Sequence, residues 1–162
     1  MPAVGIIPAR FASTRFPGKP LAEIAGQPMI CHVYARACRA TTLDEVLVAT
    51  DDLRIFDAVQ QFGGEAIMTS DRHPTGTDRL AEVATHLSGA DILVNIQGDE
   101  PLIAPEAIDA VVLALRDDPS AMMSSVMAPL DDAGQAADPN VVKVVCDLQG
   151  HALYFSRLPI PG

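Results

Sequence analysis

The stretch that decides the fold is Val4-Gly5-Ile6-Ile7-Pro8, which is followed at once by Ala9-Arg10-Phe11-Ala12-Ser13-Thr14-Arg15-Phe16-Pro17-Gly18-Lys19. A short apolar run with no polar alternation is typical of a strand that is covered on both faces. The loop that follows is polar, cationic and contains glycine. Because ligands bind at the carboxyl ends of the strands in an α/β sheet, this loop is a candidate binding site.

Outward from this stretch, apolar runs alternate with segments of helical spacing. Further strands are predicted at 46–49, 65–68, 92–96, 122–127, 141–146 and 152–156. Helical spacing predicts four helices: one with Pro28 in its first turn, one around Ile55 that stops at Gly63-Gly64, one capped by Thr77, and one opened by Pro105. We therefore expect a single α/β domain over 1–162, with three layers and a mostly parallel central sheet that carries helices on both faces. The tight turn at 147–150 predicts that the last two strands form a hairpin.

Composition narrows the function classes. The chain has 162 residues, of which 49% are hydrophobic and 20% are charged, so it can bury a core. Its net charge of -10 argues against general nucleic-acid binding, and no apolar stretch approaches the ~20 residues of a membrane span. Three cysteines and no basic, apolar leader at the N-terminus predict a cytoplasmic protein with no membrane partner.

The charge is unevenly distributed. No acidic residue precedes Glu23, whereas Arg10, Arg15 and Lys19 all lie in that stretch. A cationic cluster on an acidic protein predicts a local site for an anion. The alternative is a basic loop that is simply solvated.

The order of residues in this loop favours a polyphosphate ligand. Ser13, Thr14 and Gly18 can present hydroxyl and backbone N–H donors beside the cations. Pro20 follows Lys19, so the loop is not the phosphate loop that needs Gly-Lys-Ser/Thr, and no Gly-x-Gly-x-x-Gly suggests a dinucleotide.

Two further loops are expected at the same sheet edge. Asp99 follows the predicted strand 92–96, and a carboxylate there can hold Mg²⁺ against phosphate oxygens. The alternative is that Asp99 caps the helix after Pro101. Residues 73–79 lead from another strand into a helix and bring Gly76 to the same edge.

The chain resembles the 3-deoxy-manno-octulosonate (Kdo) cytidylyltransferases, also called CMP-Kdo synthetases. The resemblance runs in order through nearly the whole chain. Its most telling motifs are Ile7-Pro8-Ala9-Arg10, Ser13-Thr14-Arg15-Phe16-Pro17-Gly18-Lys19-Pro20-Leu21, Gly76-Thr77-Asp78-Arg79-Leu80-Ala81-Glu82, Gln97-Gly98-Asp99-Glu100-Pro101 and Leu153-Tyr154-Phe155-Ser156-Arg157. This chain has Thr75-Gly76-Thr77 where the family usually has Ser-Gly-Thr.

The resemblance implies a nucleotide-diphospho-sugar transferase-like fold and a reaction. CTP and Kdo, as small-molecule substrates, would give CMP-Kdo and pyrophosphate for lipopolysaccharide biosynthesis, with Mg²⁺ as cofactor and a homodimer as the family's assembly. The implied catalytic residues are Lys19, Arg15 and Asp99, and Asp99 is also the metal ligand. The implied nucleotide-binding residues are Pro8, Ala9, Arg10, Ser13, Lys19, Thr75, Gly76 and Arg79. The implied sugar-binding residues are Gln97 and Arg157.

The family runs well beyond the point that corresponds to Gly162, so we expect a domain truncated at its C-terminus. A catalytically incompetent nucleotide-binding fragment is therefore an alternative to an active enzyme. A relative that acts on another sugar acid, such as a sialic acid, is a further alternative, although the Leu153–Arg157 motif does not favour it.

Overall fold

The structure is a computed structural model, and it describes residues 1–12 and 16–160. It contains two compact units: the first is Met1–Ser124, and the second runs from Ser125 onward. Within the described residues, no helix combines the length and the apolar character needed to cross a bilayer.

The first unit is built on a four-stranded parallel sheet. Its strands and a small antiparallel pair are β1 (Ala3–Ala9), β2 (Glu23–Ile24), β3 (Gln27–Pro28), β4 (Glu45–Thr50), β5 (Ala66–Met68) and β6 (Ile92–Asn95). The order in the parallel sheet is β5-β4-β1-β6, and β2 pairs with β3 separately. Every pairing in the larger sheet is parallel, with Ile6 aligned to Leu47 on one side and to Asn95 on the other.

Four helices cover the two faces of this sheet. They are α1 (Met29–Ala37), α2 (Leu53–Gln61), α3 (Gly76–His86) and α4 (Pro105–Asp117). One face of β1 and β4, with Ile7 and Val48, packs against α1, α2 and α4. The other face, with Ile6 and Leu47, packs against α3. The expected three-layer α/β fold with helices on both faces is confirmed.

The second unit is smaller. It contains α5 (Ala133–Ala137) and the antiparallel pair β7 (Lys143–Cys146) and β8 (Ala152–Ser156), so the predicted hairpin is confirmed. The Lys143 side chain is buried, and its Nζ donates to the carbonyls of Asp138, Val141 and Arg157 at 2.9, 2.8 and 2.6 Å. This ammonium therefore ties the hairpin to the segment before it.

Two details of the prediction were wrong. Residues 122–127 form no strand, and the side chain of Met122 is 95% exposed. The N-cap of α3 is Thr75 rather than Thr77, because the Thr75 hydroxyl accepts from the backbone N–H of Asp78 while the Asp78 carboxylate accepts from that of Thr75. This reciprocal pair satisfies two donors that a cap at Thr77 would leave open.

Candidate functional site

Lys19 and Asp99 meet at the carboxyl edge of the sheet. The Nζ of Lys19 donates to Oδ2 of Asp99 at 2.7 Å, although 80 residues separate them. Lys19 begins a one-turn 3-10 helix after β1, and Asp99 follows β6. Both side chains are partly exposed, at 39% and 55%, so the charges remain open to solvent and to a ligand.

Pro8 is the point at which the loops converge. A β-carbon at Gly98 would lie 2.8 Å from the carbonyl oxygen of Pro8, and one at Gly76 would lie 3.2 Å from its Cγ. The end of β1, the loop after β6 and the start of α3 therefore pack closely against one another. A side chain at Gly98 would clash with backbone, and one at Gly76 would need the Pro8 ring to shift slightly. The predicted meeting of three loops at one sheet edge is seen directly, with Ala9 buried beneath it.

The cationic loop is closed at its base. Residues 13–15, which include the predicted site residues Ser13 and Arg15, lie outside the described residues. The backbone N–H of Gly18 donates to the Phe11 carbonyl at 2.8 Å, and Gly18 has a φ of 73°. That left-handed conformation favours glycine and turns the chain so that Lys19 starts the 3-10 helix.

The start of α3 carries a second charged group. The pKa of Asp78 is held below its ordinary value, chiefly by the hydrogen bond from the Thr75 side chain and further by the one from the Thr75 backbone. The charges of His73 and Arg10 lower it in the same direction. Arg10, half-buried at the end of β1, is thus close enough to Asp78 for the two charges to interact. Thr75 and Gly76, which the family resemblance assigns to the nucleotide, therefore begin a well-capped helix beside a cation.

Arg79 is buried rather than presented to solvent. Its guanidinium donates to Oδ2 of Asp51 at 2.9 Å and to Oγ1 of Thr69, and its side chain has no exposed surface. Among the described residues, its Nε has no hydrogen-bond partner. Arg79 thereby joins α3 to the ends of β4 and β5, and Asp51 is a residue that the sequence reasoning missed.

His73 and Glu82 form another pair that was not predicted. The Nε2 of His73 contacts Oε2 of Glu82, which also accepts from the backbone N–H of Ser70 at 2.9 Å. The hydrogen bond to His73 is the largest cause of the lowered pKa of Glu82. The pair fastens the loop before α3 to the second turn of that helix; the separation of nine residues gave no sequence signal for it.

The two sugar-binding candidates lie in different units. Gln97 is exposed in the loop after β6, two residues before Asp99. Arg157 lies in the second unit, where its guanidinium donates to the Pro139 carbonyl at 2.9 Å. Within the first unit, Gln97 belongs to the group of loops around Pro8, because it directly precedes Gly98.

The residues present fit a magnesium ion that is held mainly by its substrate. Within the described part of the chain, no three His, Cys, Asp or Glu side chains cluster as a metal cage. Mg²⁺ uses one or two carboxylates and otherwise waters and phosphate oxygens, so Asp99 beside a polyphosphate is a suitable donor set.

Comparison with known proteins finds a matching family, close relatives and a similar solved structure. The profile of the cytidylyltransferase family matches residues 4–162. The chain is 57% identical over 161 residues to a 3-deoxy-manno-octulosonate cytidylyltransferase of Geobacter sulfurreducens, and 58% identical to that of Pelobacter propionicus; it covers 64% and 63% of their lengths. A solved structure of CMP:2-keto-3-deoxy-manno-octonic acid synthetase complexed with CTP superposes with a TM-score of 0.91 at 49% identity. That match covers all of this chain and 66% of the other. The chain thus spans slightly less than two thirds of the curated relatives.

Proposed function

The chain belongs to the cytidylyltransferase family, and from this premise we propose that it transfers CMP from CTP to the anomeric hydroxyl of Kdo and releases pyrophosphate. The observation that carries the proposal is the contact of 2.7 Å between Lys19 and Asp99, because an ammonium suited to phosphate oxygens and a carboxylate suited to Mg²⁺ lie at one point. The relatives named for this reaction, at 57% and 58% identity, support the choice of substrates.

The chain's own part in the reaction is to position and neutralise phosphates. Lys19 and Arg10 lie beside the end of β1, where they can bind the phosphate oxygens of CTP, and we assign Arg15 to the same task. Transfer of a nucleotidyl group needs little covalent help from a protein, because in-line placement and charge neutralisation supply most of the rate. An exposed ion pair contributes only ~0.2–1 kcal/mol, so Lys19 can exchange Asp99 for a phosphate at small cost.

Asp99 would hold Mg²⁺ once Lys19 has turned to the phosphates. When bound, Mg²⁺ would supply charge stabilisation at the α-phosphate and orient it toward the sugar hydroxyl. The largely buried pair of Arg79 and Asp51 would act without touching the nucleotide, by holding the start of α3 and with it Thr75 and Gly76 in place.

The finer assignments belong to the same proposal. Gln97 would contact the sugar, since it lies two residues before Asp99, and Arg157 would bind the sugar carboxylate or lie in a homodimer contact. Exposed apolar side chains on β8 support a homodimer: Leu153, Tyr154 and Phe155 are each at least 60% exposed. From the proposed reaction of CTP with Kdo we infer a place in the cytoplasm and in lipopolysaccharide biosynthesis.

The test is a pyrophosphate-release assay with CTP, Kdo and Mg²⁺, run beside the CTP-dependent shift in melting temperature. We expect Lys19→Met and Asp99→Asn each to reduce the rate by ~10² to 10³, by analogy with the loss of one preorganised charge contact. Arg39→Met is the matched control, because exposed Arg39 lies between α1 and β4, at the opposite edge of the sheet. Equal activity of all four proteins would contradict the proposed site.

A second candidate function is CTP binding without turnover. It is favoured by the make-up of the first unit, which holds the phosphate and metal candidates Lys19 and Asp99 in contact but, of the two sugar candidates, only Gln97. A melting shift with CTP and Mg²⁺, reduced by Lys19→Met and accompanied by no pyrophosphate release, would select it.

A further inference from the structure

The ring of Phe11 makes two contacts that the proposed reaction does not use. The Cζ of Arg54 lies 3.3 Å from the centroid of the ring. A β-carbon at Gly18 would lie 3.0 Å from two atoms of the same ring. The ring therefore fills the space between the base of the cationic loop and the guanidinium of Arg54.

The guanidinium is itself fixed by Asp52, the N-cap of α2. Its Nε donates to Oδ1 of Asp52 at 2.9 Å, and one terminal nitrogen donates to Oδ2 at 2.6 Å. Two-point contacts of this kind set the plane of a guanidinium as well as its position. The backbone N–H of Asp52 in turn donates to the hydroxyl of Thr50, which is fully buried at the end of β4.

The other end of this chain of contacts reaches Lys19. The Phe11 carbonyl accepts from the backbone N–H of Gly18, and Gly18 is the N-cap of the turn that Lys19 begins. We call Asp52, Arg54, Phe11 and Gly18 the brace. It links the buried end of β4 to the residue that precedes the phosphate-binding lysine.

We propose that Arg54 and Phe11 are positioning residues that hold the backbone of Lys19 in place for the CTP phosphates. A lysine side chain has four rotatable bonds and fixes little by itself, so the direction of its stem depends on the backbone that carries it. The stack of Arg54 on Phe11 supplies that support from outside the loop. This inference rests on the proposed function, because CTP is the ligand that Lys19 would meet.

The alternative is an ordinary surface ion pair. Arg54 is 60% exposed, and such a pair with Asp52 alone would affect only the start of α2. Only the positioning role requires the aromatic ring and the planar guanidinium to stabilise the backbone at Gly18. The variants are therefore chosen to remove the ring or the guanidinium.

The first measurement needs no nucleotide: the hydrogen-exchange rate of the Gly18 amide, read by NMR. We expect Phe11→Leu, Arg54→Met and Arg54→Lys to raise this rate about two- to fivefold, which is the loss of one cation–π contact at an exposed site. Phe11→Tyr keeps the ring and should exchange like the wild type, as should the control Arg39→Met. An unchanged Gly18 rate in Phe11→Leu and Arg54→Met overturns the brace.

The second measurement is the dissociation constant of CTP with Mg²⁺ and, where turnover is seen, the split between KM and kcat. Phe11→Leu and both Arg54 variants should weaken CTP binding about two- to fivefold through KM, and Phe11→Tyr should not. If Arg54→Met and Phe11→Leu both bind CTP like the wild type, the contact between them is not what holds Lys19, and the positioning role is refuted. If wild type shows no CTP binding at all, the proposed function fails, while the Gly18 exchange rates still decide whether the brace exists.

Discussion

At the scale of single residues, the site depends on two places where a side chain is absent. Gly98 and Gly76 both face Pro8, but they differ in what a methyl group would meet. At Gly98 it would lie 2.8 Å from a backbone oxygen, which cannot move without shifting β1. At Gly76 it would lie 3.2 Å from the ring of Pro8, which can yield by a few tenths of an ångström.

We therefore predict that Gly98→Ala destabilises the protein by about 1–3 kcal/mol, the usual cost of overpacking, and Gly76→Ala by less. Urea denaturation followed by circular dichroism gives both free energies of unfolding. A larger loss in Gly76→Ala than in Gly98→Ala would show that the loops do not converge on Pro8 as described.

A second prediction concerns Arg79 and Asp51. Arg79→Met removes one partner of a largely buried ion pair and leaves the other charge uncompensated, which costs about 3 kcal/mol for such pairs. The double variant Arg79→Met with Asp51→Asn removes the stranded charge and should be more stable than Arg79→Met alone. The double-mutant cycle of unfolding free energies measures the coupling. Strictly additive losses would mean that the pair does not act as a unit.

At the scale of elements, the sequence predicted what hydrophobic spacing controls. All four long helices and the four parallel strands were found within a few residues, because a buried face imposes its period on the chain. The cap of α3 was missed because Thr75 and Thr77 are chemically alike, and only the reach of Asp78 back to Thr75 selects between them. The strand at 122–127 was predicted from apolar content alone. A strand also needs a neighbouring strand to pair with, and apolar content says nothing about that.

The cap of α3 gives a prediction about pH. Asp78 has a pKa below its ordinary value of about 3.9 because of Thr75, so its ionised form stabilises the helix start. The sign follows: this stabilisation is complete above the ordinary value and is lost as the pH falls through the lowered pKa of the folded state.

Wild type should therefore lose more stability than Asp78→Asn as the pH falls below the ordinary carboxyl value of about 3.9, since the amide cannot titrate. Unfolding free energies from urea at several pH values provide the comparison. At neutral pH, Thr75→Ala should cost about 1 kcal/mol, the usual loss for a helix cap. Parallel curves for wild type and Asp78→Asn would contradict the capping role of the carboxylate.

At the scale of the whole molecule, charge asymmetry and strand order located the candidate site, and tertiary contacts completed it. The stretch before Glu23 has no acidic residue, and ligands bind at the carboxyl ends of strands in an α/β sheet. These two facts predicted that Lys19 and Asp99 lie at one site, and in the structure they are in contact. Arg54 and Asp51 could not be assigned this way. Both residues come shortly after β4, and the role of each depends on a partner, Phe11 or Arg79, that is distant in sequence.

The two units should also differ in stability, and hydrogen exchange can separate them. β1 and β4 are buried almost throughout, so their amides should exchange only through global unfolding. The hairpin of β7 and β8 is mostly exposed, and the Lys143 ammonium on three carbonyls is its main buried polar anchor.

Lys143→Met removes these charge-assisted bonds and should speed exchange of the hairpin amides at least about tenfold, with β1 and β4 unchanged. Leu148→Ala, at a side chain that is 99% exposed, is the control and should alter neither set. Equal acceleration of β1 and the hairpin in Lys143→Met would mean that the chain opens as one cooperative unit, against the separation seen here.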